Sequence, residues 1–164
     1  MKYPLEQLEM IKKKRLEEAE RALAAAKELL EKEEATLKEK EKVLELARKH
    51  LAEKNEQIRT EISRGTTSNK IEQANYYLGV VEEDVEKKNK KVKEQQKVVD
   101  EAREAVEVAR KELLKKQQDV EKMRLHRKEW EHEMLLIEKQ QEGIQNDELG
   151  SAMHILRKKR GGNG

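Results

Sequence analysis

Ser63-Arg64-Gly65-Thr66-Thr67-Ser68-Asn69-Lys70-Ile71 decides the fold of this 164-residue chain. Gly65 to Asn69 is the one cluster of turn formers in the first 140 residues, and no residue between Leu5 and Ser63 breaks a helix. Gly65 suits the left-handed position just past a helix end. Asn69, with Glu72 three residues on, has the spacing of a helix cap with a reciprocal carboxylate. Pro4, the one proline, is tolerated in a first helical turn. Gly79 is a lone weak point costing ~1 kcal/mol. The sequence therefore predicts a single all-α unit, a long two-helix antiparallel coiled-coil hairpin. Helix 1 covers about 4–63, the turn 64–69 and helix 2 about 70–142. A basic tail over 143–164 is expected to fray through Gly143, Gly150 and Gly161-Gly162-Asn163-Gly164.

The apolar period says what the helices bury. Leu16, Leu23, Leu30, Leu37, Leu44, Leu51 and Ile58 recur every seven residues, as do Ile71, Leu78, Val85, Val92, Val99, Val106, Leu113 and Val120. Sustained seven-residue spacing marks a supercoiled seam. The companion position three residues later is weaker: Ala19, Ala26, Glu33, Lys40, Ala47 and Lys54, then Ala74, Val81, Lys88, Gln95, Ala102 and Ala109. Folding the chain about Thr66 and pairing residues whose numbers sum to 132 sets Leu23 against Ala109, Leu30 against Ala102 and Ile58 against Ala74. Large meets small, so two helices interlock closely. Glu33, Lys40, Lys54 and Lys88 then face Val or Leu, their stems covering the seam while the charge reaches water. A rod of about 90 Å is expected, at 1.5 Å per residue over some sixty residues.

Composition narrows the function. Charged residues make up 44% and hydrophobic ones 35%, with no Phe or Cys and a formal net charge of +2. A chain so short of bulky side chains encloses no substrate, so an enzyme is not expected and no cofactor is. No Gly-rich phosphate loop, nucleophile elbow or HExxH occurs. His126 and His132 are six apart, not at the spacing of helical metal ligands, and His50 and His154 are scattered, so no metal site is expected. The carboxylates sit in i,i+4 pairs with lysines, as Glu28 with Lys32. Balanced charge opposes nucleic-acid binding, including the reading of a ribosome-associated hairpin with a basic tail. No run of ~18 apolar residues is present to span a membrane, and Met1-Lys2-Tyr3-Pro4 lacks the apolar core of a secretory signal. A cytoplasmic protein is expected.

Two regions are candidates for contact. By the 132 pairing, helix 1 runs out near Leu5, and helix 2 continues with Trp130, Met134, Ile137 and Ile144 on the seam stripe. Either Tyr3 and Leu5 fold over Trp130, or the stripe binds a partner, since Trp is favoured at hot spots. Near the turn, Tyr76 and Tyr77 are adjacent and cannot both enter the seam, which leaves at least one outward.

Several segments carry a family resemblance: Lys2-Tyr3-Pro4-Leu5 with Lys12-Lys13-Lys14-Arg15, Gly65 to Ile71, Lys91 to Asp100, and Arg124-Leu125-His126-Arg127-Lys128-Glu129-Trp130. Up to about Trp130 the chain resembles the central stalk proteins of type III secretion, the family of CdsO, YscO and the flagellar FliJ, in its chlamydial form. The resemblance implies a stalk between a hexameric type III secretion ATPase and an export-gate protein, peripheral to the apparatus at the inner membrane. Some members also bind secretion chaperones. It implies that the end around Leu5, Leu16, Met123 and Trp130 faces the ATPase, and the tip around Thr66, Thr67, Tyr76 and Tyr77 the gate. The alternative is a coiled-coil adaptor or chaperone-escort protein that binds partners through the stripe from Trp130 to Ile144.

Overall fold

A computed structural model describes residues 1–161. It holds two helices, α1 (Glu6–Arg64) and α2 (Ser68–Gly161), packed against each other, with no strand among the described residues. The connection is tighter than the expected 64–69. Gly65 adopts φ 86°, the left-handed conformation, and its amide donates to the Ile62 carbonyl at 3.1 Å. The Ile71 amide donates to the Thr67 carbonyl at 3.2 Å, which makes Thr67 the capping residue of α2. The cap expected at Asn69 is thus displaced: Ser68 is already helical, and Asn69 lies inside the first turn. At the other end, Pro4 precedes the helix, and the Leu5 carbonyl accepts the first helical bond from Glu9 at 2.9 Å.

α2 continues as helix past residue 142, where the sequence reading ends it. Gly143 and Gly150 each cost a helix only about 1 kcal/mol. Good helix formers surround them, and Lys158, Lys159 and Arg160 lie in the last turn, where cations favour the helix dipole. Of the glycine run expected to fray, Gly161 ends the helix and residues 162–164 lie outside the described ones.

The helices divide into two compact units, Met1–Glu18 with Leu114–Gly164, and Ala19–Leu113. In the second unit, Leu37, Leu44, Ala47, Val81, Val99, Ala102 and Val106 are buried, and Val99 is fully enclosed. All are seam positions in the heptad count. Cross-helix partners in this unit bracket the expected pairing sum: Lys54 with Tyr77 gives 131, Lys40 with Gln95 gives 135 and Glu33 with Gln95 gives 128.

Two of the polar seam residues, Glu33 and Lys40, depart from the expected snorkelling, while Lys54 and Lys88 keep their charge at the exposed surface. Gln95 is buried at 6% exposure, and its amide nitrogen donates to the Glu33 carbonyl (3.1 Å) and to the Glu33 carboxylate. Lys40 Nζ donates to Gln95 Oε1 at 3.4 Å. Three polar groups placed a turn apart thus satisfy one another, which a buried amide requires. Lys88 turns to Asp84 at 2.8 Å, and Lys54 to Gln57 at 3.2 Å.

Candidate interaction surfaces

The terminal unit holds a cluster built by the chain's first turn. Pro4 fixes its φ, and the Glu6 amide closes on the Tyr3 carbonyl at 3.2 Å. The Tyr3 side chain is thereby laid onto α2, where it is 4% exposed. Its ring meets the Trp130 ring edge-on, with centroids 5.4 Å apart and planes at 60°. Its hydroxyl hydrogen-bonds His126 Nδ1, and the Arg127 guanidinium lies 5.5 Å from its ring centroid. Arg127 also donates to Glu9 at 3.1 Å and to Glu131 at 3.1 Å. Glu9 takes a second cation, Lys13, at 3.0 Å, and Lys12 reaches across to Asp119 at 3.7 Å.

Electrostatics follow from this enclosure. The Lys13 hydrogen bond, with Arg127 adding to it, holds the Glu9 carboxyl below the usual carboxylate range, although burial opposes them. Burial pushes the Tyr3 hydroxyl up, helped by the Glu9 charge and opposed by Arg127. Hydrogen bonds to Glu131 and Glu9 raise Arg127 further. The cluster ties the chain's first turn to α2 through Tyr3, set against Trp130 and His126, and through Arg127, shared by Tyr3, Glu9 and Glu131.

Of the two readings of the stripe, covering by Tyr3 holds for Trp130, which is half-buried. Leu5 stays 37% exposed and takes little part. Met134 is half-buried, whereas Ile137 and Ile144 are exposed, as are Leu135, Leu136, Leu149, Met153, Ile155 and Leu156. The apolar surface without a mate therefore begins after Trp130 and is broader than the expected stripe. Leu16 and Met123 are half-buried seam residues. His126 is exposed and also hydrogen-bonds Tyr3. The Glu9–Arg127 pair was not anticipated, yet its numbers sum to 136 and those of Tyr3 and Trp130 to 133. At the sum of 132 Glu9 falls opposite Met123 and Arg127 opposite Leu5, so charge matching at that sum does not single the pair out.

At the turn, Thr66 is half-buried and Thr67 exposed. Tyr76 is 79% exposed, as expected of one of the pair. Tyr77 lies along the helix surface, its hydroxyl 3.5 Å from His50 Nε2 and its ring 5.5 Å from Lys54 Nζ. Val80, one turn further, is also exposed. Among the described residues no group of His, Cys, Asp or Glu is arranged to hold a metal, and no helix is long and apolar enough to cross a membrane.

The YscO-like protein family matches the chain over residues 1–160. Among solved structures, that of the Chlamydia trachomatis protein CT670, described as a YscO homolog, superposes with a TM-score of 0.90 at 36% sequence identity. The match covers 97% of this chain and 98% of that one. No curated protein matches the chain.

Proposed function

The chain belongs to the YscO-like family, proteins of type III secretion, and from that premise we propose that it is the central stalk of the export apparatus. It couples a hexameric export ATPase to the export gate by contact, and catalyses nothing itself. The terminal unit, with Leu5, Leu16, Met123 and Trp130, faces the pore of the ATPase ring. The turn, with Thr66, Thr67, Tyr76 and Tyr77, faces the gate protein. The stalk works on the cytoplasmic side of the inner membrane and meets secretion chaperones there.

The observation that carries the reading is the clasp at the terminal unit. A coupling element must stay paired where force enters it, and Tyr3, Glu9, Arg127 and Trp130 fasten the helices at that point. Seam residues at that end are otherwise only half-buried, so the helices there would part readily. The exposed residues Ile137 and Ile144 favour a second use of the same protein, as an adaptor that escorts chaperones or clients on this surface.

Hydrolysis by the cognate export ATPase, measured with and without the chain, separates the two. A stalk stimulates turnover and co-purifies at one copy per six-subunit ring. Absence of both effects removes the stalk reading and leaves the adaptor. Trp130→Ala should weaken ATPase binding at nearly unchanged helix content; a matching loss of helicity would assign Trp130 to the fold alone.

A further inference from the structure

From Leu135 to Gly161 every residue of α2 is exposed, so this stretch of helix packs on nothing else among the described residues. Its charge changes sign part-way. Residues 135–148 carry Glu138, Glu142, Asp147 and Glu148 against Lys139 alone. From Leu149 to Gly161 there is no acid, and Arg157, Lys158, Lys159 and Arg160 follow one another. None of these cations has an ion pair or hydrogen bond among the described residues. The same segment is sided. Leu149, Ala152, Met153 and Leu156 have the i, i+3, i+4, i+7 spacing of one helix face and lie within about 100° of one another. Leu149 and Leu156 are 60% exposed and Met153 59%. Arg157 and Lys159 stand just outside the two borders of this stripe, Arg160 continues it, and Lys158 lies on the opposite side.

An occupant of this face must accept apolar side chains and a fringe of unpaired cations together. The core of a protein interface is depleted in lysine and other charged residues. A nucleic acid takes the cations through its phosphates and has no use for an apolar row beside them. An anionic bilayer surface takes both. Its acyl boundary receives the apolar side chains, and its phosphates lie at the level that the flexible Arg and Lys stems reach. A basic helix with one apolar face is the pattern that such a surface selects.

We propose that residues 149–160 dock reversibly on an anionic lipid surface. The helix lies in the plane of the interface, with Leu149, Met153 and Leu156 turned into the acyl boundary and Arg157, Lys159 and Arg160 among the lipid phosphates. The acidic residues of 138–148 are repelled by that surface and confine the contact to this segment. The contact belongs to the free chain and goes beyond the stalk reading, none of whose assigned residues lies in the segment.

The test is co-sedimentation of the full chain with vesicles, and it needs no ATPase. Mixed phosphatidylglycerol and phosphatidylcholine vesicles should bind the chain about tenfold or more tightly than phosphatidylcholine alone. R157Q/K158Q/K159Q/R160Q and L149Q/M153Q/L156Q should each weaken binding to the anionic vesicles about tenfold or more. K87Q/K90Q/K91Q/K93Q removes the same number of charges from the unit Ala19–Leu113 and should leave binding unchanged. Circular dichroism checks that each variant keeps its helices. The chain lacks cysteine, so a polarity-sensitive fluorophore on Leu156→Cys reports the buried face. Its emission should shift to the blue on anionic vesicles, and the same probe on Ser151→Cys, across the helix, should not shift. Equal binding to neutral and anionic vesicles, or binding to neither, overturns the proposal. So does an equal loss on removing the lysines of 87–93, or an equal shift from the two probes. Binding indifferent to the apolar substitutions also overturns it, and would mark a bare contact with a polyanion such as nucleic acid.

Discussion

Replacing Val99 by alanine tests whether the seam, and not helix propensity, holds the unit Ala19–Leu113 together. Among the described residues, Val99 is the one large side chain with no exposure at all. Removing two methyl-sized groups loses about 1.6 kcal/mol of transfer free energy at ~0.8 kcal/mol each. A residual cavity of about 50 Å³ adds about 1 kcal/mol at ~24 cal/mol per Å³. Alanine returns about 0.5 kcal/mol through its better helix propensity. The net loss is about 2 kcal/mol, which stands out against a stability of ~5–15 kcal/mol. The paired measurement is Val80→Ala on the same helix, where the side chain is 48% exposed. There the propensity gain of about 0.5 kcal/mol offsets most of a partial burial loss, so little change is expected. Urea unfolding followed by circular dichroism at low protein concentration gives both midpoints. Equal shifts would refute the argument that burial in a two-helix seam supplies the stability.

The clasp should respond to acid. The Glu9 carboxyl titrates below its unfolded value when folded, so its contribution is complete above ~4.5 and fades as pH falls through the lowered folded value. Trp130, the one tryptophan, should therefore show a fluorescence transition below pH ~4.5. Glu9→Gln should abolish it, and a transition that survives the substitution would place its origin elsewhere. At the turn, Gly65→Ala meets no atom within 4 Å, so its cost is conformational alone. A loss of about 1–2 kcal/mol in urea unfolding is expected from a φ of 86°. A neutral result would mean that the turn relaxes to another conformation.

The fold was legible because the code for it is local and repetitive. A seven-residue period needs only neighbouring residues to declare a seam, and Gly65 needs only its missing Cβ to declare a reversal. The cap was misplaced by two residues because Thr67, Ser68 and Asn69 are all competent, and only the closing geometry at Gly65 chooses among them. The tail was underestimated because two glycines weaken a helix without ending it. Of the contact regions, the exposure of Tyr76 followed from adjacency, since two consecutive residues cannot share one seam.

What the sequence determined alone is periodicity: which residues face inward and where the chain reverses. What only the tertiary structure decided is how long side chains use the freedom that periodicity leaves them. Glu33 and Lys40 join Gln95 in one network instead of each reaching into water, and Tyr3 rather than Leu5 covers Trp130. Heptad position constrains a Cβ to a face, but the rotatable bonds beyond it answer to whichever partner the opposing helix brings within reach.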